Sequence, residues 1–360
     1  MNLPQRRARV AVIGTGWWAT TAHIPALQAC PHAELVALCD TDDARLRTAA
    51  EHFGVSRTYT DVATLLRQEQ LDGAVVAVYH AAHYAVARAC LDAGVSILLE
   101  KPMTLYAREG RDLLDRAQRT GAHIVVGYPW HYTALARRAR EIIRSGELGS
   151  VQFVASTFAS MAVEFYRGNP EAYRPVFGYP VAQPTLGTYA DPRLAGGGQG
   201  HLQATHAAGL LFWITGLRAA QVSALMATFD VAVDVVDALT LRFTSGALGV
   251  LGSTGNLGVG DSGQHDLRIY CATGYLLLDM IGGTLVVRRH GGDGETLGPV
   301  APDQRYPYET PAVNLVAVIL WRAENQSPGE VGLRSVELLE AAYHSAAHGG
   351  HPVAIGGDDP

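Results

Sequence analysis

The chain of 360 residues contains a single lysine, Lys101, and its other strongly basic side chains are all arginines. An arginine suits an ion pair or a solvated surface, but its guanidinium does not titrate near neutral pH, whereas the pKa of a lysine falls on burial. Lys101 follows the apolar run 96–99 and precedes Pro102. The position indicates a role in proton or charge chemistry, and the alternative is a lysine that has simply persisted on the surface.

A second candidate for chemistry is a glycine-containing turn. The apolar run 10–13 leads into Gly14 and Gly16, and residues 24–29 read as a helix. In such a turn the first glycine allows the bend and the second lets the backbone approach a pyrophosphate. The third glycine of the usual pattern is Ala19 here, so the turn alone is a weak signal.

Asp40 strengthens the interpretation of this turn as a dinucleotide site. It ends the next predicted strand, 35–39, at about the distance expected for a carboxylate that bonds the adenosine ribose. A carboxylate repels a 2′-phosphate, and no arginine follows immediately, so we expect NAD rather than NADP. The alternative is that Asp40 caps the helix 44–53, a role that Asp42 or Asp43 could take instead.

These residues must be positioned by the elements around them, which alternate between strand and helix. Strands are predicted at 10–13, 35–39, 73–78, 95–99 and 123–126, and helices at 24–29, 44–53, 62–69, 82–93 and 106–120. The alternation predicts a doubly wound parallel sheet, whose ligands bind at the carboxyl ends of the strands. Lys101 is thereby placed at the same edge as Gly14 and Asp40.

The alternation ends at residue 128. A helix is predicted at 134–145 and a strand at 151–160. Further strands are predicted at 219–230, 235–244, 247–254, 266–271, 275–280 and 284–290, with closing helices at 312–324 and 332–347. The fold class is therefore α/β, with a Rossmann domain at 1–128 and an α+β domain at 129–360 that carries a large, open, mainly antiparallel sheet.

Composition excludes several classes of protein. A net charge of −6, with arginines that are scattered or sit in short clusters such as Arg137, Arg138 and Arg140, disfavours nucleic-acid binding. No segment approaches the length of a membrane span, no leader is evident, and the four cysteines form no Cys-x-x-Cys pair, so a reduced, cytoplasmic protein is expected. His344, His348 and His351 read as a solvated helix end, and no metal is expected.

Several stretches resemble the glucose-fructose oxidoreductase / inositol dehydrogenase family. They are residues 14–19, 77–83, 94–102 and 127–128, and the triplet Glu100-Lys101-Pro102 after Ala-Gly-Val is the most specific. Tyr79-His80 stands where the family usually has Thr-Pro. The strand edge and the resemblance together imply cofactor contacts from Gly14, Thr15, Gly16, Trp17, Trp18, Asp40, Tyr79, His80, His83, Glu100, Lys101 and Tyr128. The resemblance also implies a homodimer or homotetramer formed through the C-terminal sheet.

Residues 196–206 resemble the triple-glycine, Asp-x-x-x-His segment of that family. His206 falls on its catalytic histidine, while Leu202 stands at the position of its aspartate. Gln203 or His201 could replace the carboxylate, although Gln203 cannot take a proton. A histidine on an apolar helix is ordinarily a satisfied core residue, and here the glycines and the resemblance favour a catalytic role.

The long stretch 170–200 is rich in Pro, Gly and Tyr, which is typical of a functional loop. Its tyrosines and Arg167 could form a sugar-binding wall, and a surface excursion that serves oligomer contacts is an equal alternative. The expected substrate contacts are Lys101, Trp130, Arg167, Gln203 and His206.

Together these residues predict hydride transfer between a nicotinamide and a secondary hydroxyl or keto carbon. His206 would take the hydroxyl proton while Lys101 stabilises the developing negative charge. The resemblance implies a sugar, glycoside or cyclitol as substrate. Two alternatives remain: a redox-neutral glycoside hydrolase with tightly held NAD, which the missing aspartate at Leu202 favours modestly, and a non-catalytic nucleotide-sensing regulator, against which the retained Lys101 argues.

Overall fold

The first sheet has six parallel strands in the order β3-β2-β1-β4-β5-β6. It is seen in a computed structural model of the chain, which describes residues 6–356. Its strands are β1 Ala8–Ile13, β2 Ala33–Cys39, β3 Thr58–Tyr59, β4 Gly73–Val76, β5 Ser96–Leu99 and β6 Ile124–Val126. The strand order reverses between β1 and β4, which opens a crevice at their carboxyl ends.

Five helices connect these strands. They are α1 Ile24–Ala29, preceded by the π-helical turn Ala19–His23, and α2 Asp43–Phe53, α3 Val62–Gln68, α4 His83–Asp92 and α5 Ala107–Thr120. Both α2 and α5 end at a glycine in the left-handed region, Gly54 and Gly121. The side chain of Asp42 caps α2 by accepting from two backbone amides, which leaves Asp40 free of that role.

The second sheet has nine strands in the order β14-β13-β12-β11-β7-β10-β9-β8-β15. Its strands are β7 Val151–Ala159, β8 Ala219–Ala227, β9 Val236–Phe243, β10 Leu248–Thr254, β11 Gln264–Cys271, β12 Gly274–Asp279, β13 Thr284–Arg289, β14 Glu295–Leu297 and β15 Val353–Ala354. All pairs are antiparallel except β7 with β10. The alternating burial of β9 and β11 shows that one face is packed and the other is open. These two sheets confirm the fold class predicted from the sequence.

Helices cover the packed face of the second sheet. The helices of this half are α6 Ala134–Ser145, α7 Val163–Tyr166, α8 Arg174–Phe177, α9 Pro192–Ala195, α10 Thr205–Thr215, α11 Thr310–Ile319 and α12 Gly329–Ala347. Helix α10 is buried along nearly its whole length between α6 and α12. A π-helical turn, Gly200–Ala204, leads directly into α10.

Helix α11 differs from its prediction in two ways. It ends at Ile319 instead of residue 324, because the chain turns at Trp321, whose φ of +57° does not continue a helix. It also packs against β4, β5 and β6, and its residues Ala312 and Leu315 join the core of the parallel sheet. Residues well beyond position 128 therefore complete the first core.

Within residues 6–356, no helix combines the length and the apolar character needed to cross a membrane.

Candidate active site

A cavity of about 650 Å³ lies between the carboxyl edge of the parallel sheet and the second sheet with its loops. One wall is built by the residues that follow β1, β2, β4 and β5. The opposite wall comes from the start of α10, the end of β7 and the segments around residues 183–189, 261–264 and 305–306. The volume is in the range of cofactor and small-molecule sites.

The two glycines of the first turn have different reasons to be glycine. Gly14 has a φ of +91°, and a Cβ there would lie 2.4 Å from the carbonyl oxygen of Ala77, so the fold itself requires it. A Cβ at Gly16 would meet nothing within 4 Å. Gly16 therefore leaves space that the protein does not fill, beside the cavity that it lines. This cradle fits a bound pyrophosphate.

Asp40 is held by several donors at once. Its carboxylate accepts from the amide and hydroxyl of Thr15, from the amide of Asp42 and from two guanidinium nitrogens of Arg45 at 3.0 and 2.7 Å. Burial alone would raise the pKa of Asp40, but these bonds outweigh it and the pKa is lowered. The carboxylate is thus ionised, and its lone pairs are fully used while Arg45 is in place.

Glu100 anchors the end of β5. Its carboxylate accepts from Trp18 Nε1 at 3.0 Å and lies 2.7 Å from His23 Nε2. Burial would raise its pKa, but the bond and charge of His23 and the charge of Lys101 lower it overall. A Cβ at Gly127 would come within 2.6 Å of this carboxylate, so Gly127 makes room for it.

Lys101 connects the two walls of the cavity. Its Nζ donates to the backbone carbonyl of Leu202 at 2.8 Å, so the ammonium reaches the turn that begins α10. Burial lowers the pKa of Lys101 to about 8, against the opposing charge of Glu100. The lysine therefore titrates much closer to neutral pH than an exposed one.

His206 lines the opposite wall of the same cavity. The imidazole is buried among aromatic rings, with the Trp130 ring 5.0 Å and the Tyr128 ring 5.9 Å away. Burial, and then the charge of Lys101, lower its pKa well below the ordinary value of 6.5. Its Nδ1 is buried without a hydrogen-bond partner among the described residues, which leaves Nε2 as the nitrogen nearer the cavity.

The structure brings together most of the residues chosen from the sequence. The cavity is lined by Gly14, Gly16, Trp17, Trp18, Asp40, Tyr79, His80, His83, Glu100, Lys101, Trp130, Gln203 and His206. Thr15, Tyr128 and Arg167 lie outside its lining. Thr15 holds Asp40, and the ring of Tyr128 packs beside His206. Arg167 is paired with Glu164 and Asp230.

Several lining residues were missed by sequence reasoning. They are Arg45, Thr185, Gln264 and Tyr306, whereas Tyr189, which also lines the cavity, is one of the tyrosines that the sequence analysis considered in the stretch 170–200. Tyr306 packs on Trp130 with ring centroids 4.6 Å apart, and it extends the aromatic wall beside His206. For Arg45 a signal existed, because the first turn of the helix after β2 lies next to the end of that strand. The others come from loops whose approach no local pattern predicts.

Leu202 occupies the position at which the resembled family has an aspartate. Its side chain lines the cavity and packs in an apolar cluster with residues such as Val163 and Val233. Its polar contact with the opposite wall is made by the backbone carbonyl, which accepts from Lys101. His201, which was considered as a replacement, stacks on Tyr343 instead of lining the cavity.

Comparison with known proteins agrees with this architecture. The family described as an oxidoreductase family with an NAD-binding Rossmann fold, GFO_IDH_MocA, matches residues 8–128. The GFO/IDH/MocA C-terminal domain matches residues 136–277. An oxidoreductase domain protein from Kribbella flavida has a similar structure, with a TM-score of 0.80 and 22% identity over 98% of this chain and 100% of that one. At this identity the similarity concerns the fold.

Curated relatives match over part of their length. D-apiose dehydrogenase of Paraburkholderia graminis is 30% identical over 46% of this chain and 44% of its own. D-xylose 1-dehydrogenase (NADP(+)) 2 of Haloferax volcanii is 31% identical over 41% of this chain and 45% of its own. The matched region thus spans less than half of these relatives. The N-terminal and C-terminal domain models of one family thus match consecutive parts of this chain, and the chain belongs to the GFO/IDH/MocA oxidoreductase family.

Proposed function

We propose that this protein is a nicotinamide-dependent oxidoreductase that acts on a secondary hydroxyl or keto carbon of a sugar, glycoside or cyclitol. The observation that carries the proposal is the pair formed by Lys101 and His206, which line one cavity with the glycine turn and Asp40. A bound nicotinamide would supply the hydride acceptor. The residues of the chain then have to move a proton and stabilise charge.

His206 is the general base of this proposal. Burial keeps its imidazole neutral at physiological pH, so it can accept the proton of a substrate hydroxyl at Nε2. The accompanying Nδ1–H would remain on the buried side of the ring. In the reverse direction the same nitrogen returns the proton to the oxygen of the reduced carbonyl.

Lys101 acts on the same oxygen. As an ammonium it can donate to the substrate oxygen and stabilise the negative charge that develops as the proton leaves. Its bond to the carbonyl of Leu202 fixes its direction, and its lowered pKa makes the ammonium a stronger acid and therefore a stronger hydrogen-bond donor to the substrate oxygen. A guanidinium would hold the charge but could not match this proton affinity.

The nucleotide is proposed to be NAD. Asp40 is an ionised acceptor at the position of the ribose hydroxyls, and it disfavours a 2′-phosphate. With Arg45 in place, the carboxylate of Asp40 has no free lone pair for the ribose. Ribose binding therefore requires Arg45 to break at least one of its two hydrogen bonds to Asp40. The freed guanidinium could then donate hydrogen bonds to a 2′-phosphate, so any use of NADP would depend on Arg45.

The substrate class follows from the second wall. Trp130, Phe158 and Tyr306 give this end of the cavity apolar ring faces, while Gln203 and Gln264 supply amides that can hydrogen-bond hydroxyls. Such a mixture suits a polyhydroxylated ring. The partial matches to apiose and xylose dehydrogenases support the same class.

The direct test is to incubate purified protein with NAD⁺ and a panel of aldoses, glycosides and cyclitols. We expect NADH absorbance and a product that has lost two hydrogen atoms. Free sugar released from glycosides without net NADH would instead support the redox-neutral hydrolase. A protein that binds nucleotide but shows neither reaction across the panel would support the regulator.

We also propose that the open face of the second sheet joins two copies of the chain. Phe153 and Tyr270 are exposed and directly paired on neighbouring strands, and Leu248 pairs with Phe153 on the other side. A continuous exposed apolar row of this kind marks an interface, and a twofold axis would bury it against itself. In sedimentation, Tyr270→Glu should give monomers, while Val313→Glu, an exposed position on α11, should not; unchanged mass for the first variant would refute the interface.

Two further expectations remain proposals. We propose a division into a nucleotide-binding domain up to residue 128 and a substrate domain from 129, with α11 returning to cover the first sheet. A cytoplasmic location is supported by the four cysteines, all of which are buried and free.

A further inference from the structure

Residues 183–195, here named the strap, lie between α8 and α10 and cross from the second sheet's half of the molecule to the parallel sheet. The strap meets the first domain through three polar contacts. These are Arg45 Nη1 to Thr185 Oγ1 at 3.2 Å, Trp17 Nε1 to Tyr189 Oη at 3.1 Å, and His80 Nδ1 to the carbonyl of Ala195 at 2.9 Å. Each contact joins residues more than 100 positions apart in the chain.

The three contacts follow the path expected for a dinucleotide. Arg45 sits on Asp40, the proposed ribose acceptor. Trp17 belongs to the glycine turn, where the pyrophosphate is expected. His80 follows β4, in the segment that the family resemblance assigns to the nicotinamide. The strap thus touches the first domain at successive points along one crevice.

The strap also forms part of the cavity itself. Pro184, Thr185, Thr188 and Tyr189 line it opposite the parallel sheet. Beside the strap, the ring of Trp17 packs against Phe165, Phe177 and Tyr179, with centroids between 5.3 and 6.0 Å away. The glycine turn is therefore held to the second domain by an aromatic cluster as well as by a hydrogen bond.

We propose that the strap is the second half of the dinucleotide site and that it slows the exchange of bound nucleotide. A nucleotide in this crevice has the parallel sheet on one side and the strap on the other. We expect its release to be slow until the contacts at Thr185 and Tyr189 open. This inference rests on the proposed function, because it requires that NAD or NADP binds in the crevice.

The test is the dissociation rate of NADH from the full-length protein, measured by stopped flow as loss of nucleotide fluorescence after mixing with excess NAD⁺. Thr185→Val and Tyr189→Phe each remove one hydroxyl that accepts from the first domain and keep the shape of the side chain. We expect each variant to release NADH about 5- to 10-fold faster, and the double variant to multiply the effects.

Tyr179→Phe is the matched control. It makes the same chemical change close to the strap, but the hydroxyl of Tyr179 donates to the carbonyl of Pro170 within the second domain. We expect its dissociation rate to stay within about twofold of the parent, since no contact to the first domain is lost. Thermal unfolding of all variants shows whether the substitutions leave the fold intact.

The outcomes separate the two claims. If the double variant binds NADH and releases it at the parent rate, the strap does not retain the nucleotide and the inference is wrong while the proposed function stands. If Tyr179→Phe accelerates release as much as Tyr189→Phe, the effect comes from general loosening and the inference is also wrong. If the parent protein binds neither NAD nor NADP, the proposed function itself fails.

Discussion

The two walls of the cavity handle buried ionisable groups in opposite ways. On the parallel-sheet wall, the carboxylates of Asp40 and Glu100 are buried, but each is surrounded by donors that lower its pKa. On the opposite wall, His206 is buried among aromatic rings, as is its neighbour His265 outside the lining, and burial lowers the pKa of both without a compensating hydrogen bond among the described residues.

This contrast determines where charge can reside in the site. Partners keep the first wall charged, whereas the lack of partners keeps the imidazoles of the second wall neutral. Lys101 belongs to the first wall by sequence but donates to the second. The proton transfer that we propose would therefore occur between the two walls, where an ammonium with a lowered pKa and a neutral imidazole line the same cavity.

The largest effect should come from removing the neutral base. His206→Ala is expected to lower kcat about 10²- to 10⁴-fold, because no other described side chain replaces the base, while nucleotide binding is retained. Steady-state kinetics with the sugar identified in the panel, and NADH titration, measure both quantities. His265→Gln is the control, since His265 is equally buried but does not line the cavity; an equal loss in both variants would contradict a specific role for His206.

Lys101→Met should be next in size. It removes the ammonium at the boundary and is expected to lower kcat about 10²- to 10³-fold with little change in nucleotide affinity. Lys101→Arg restores the positive charge but not the proton affinity, so it should recover only part of the rate. Full recovery in the arginine variant would show that a positive charge alone is needed. It would contradict a role for the lowered pKa of Lys101 in the reaction.

The pH profile of kcat/KM should report the ionisation of groups from both walls. Since the pKa of His206 is well below 6.5, the base remains neutral and kcat/KM for oxidation should stay level down to about pH 6. Since the pKa of Lys101 is about 8, the donor loses its charge above that pH and kcat/KM should then fall. Lys101→Arg should extend the level region to higher pH; an unchanged alkaline limb in that variant would assign the titration to another group.

The smallest expected effect concerns the choice of nucleotide. Arg45→Ala removes two of the donors on Asp40 and should lower kcat/KM with NADP⁺ about tenfold relative to NAD⁺. The ratio of the two values, measured with one sugar, cancels general damage to the site. If this ratio does not move, Arg45 serves only to hold Asp40 and the strap.

The sequence predicted the first wall better than the second, for a physical reason. The carboxyl ends of parallel strands lie at one edge of a sheet. Residues that directly follow different strands, such as Gly14, Asp40 and Lys101, can therefore be predicted to lie close together although they are remote in sequence. The second wall depends on how loops approach that edge. Tyr189 meets Trp17 through a contact that spans 172 positions, and nothing local in either segment predicts it.

Arg167 illustrates the same limit. From its residue type and its proximity in the chain, we expected Arg167 to act together with the tyrosines of the stretch 170–200. In the structure its guanidinium is occupied by Glu164 and Asp230, away from the cavity lining. Ion pairs with acidic residues from another segment, such as Asp230, decide the direction of a long flexible side chain, and these partners cannot be identified without the fold.

The return of α11 to the parallel sheet has a consequence for protein engineering. Ile319 and Leu315 would contact a Cβ placed on Gly73, so this helix packs directly against the parallel sheet of the nucleotide-binding half. A fragment cut after residue 128 would expose that face of the sheet to water. Chimeras that exchange halves between members of this family should therefore transfer residues 310–319 together with the amino-terminal portion, as one discontinuous module.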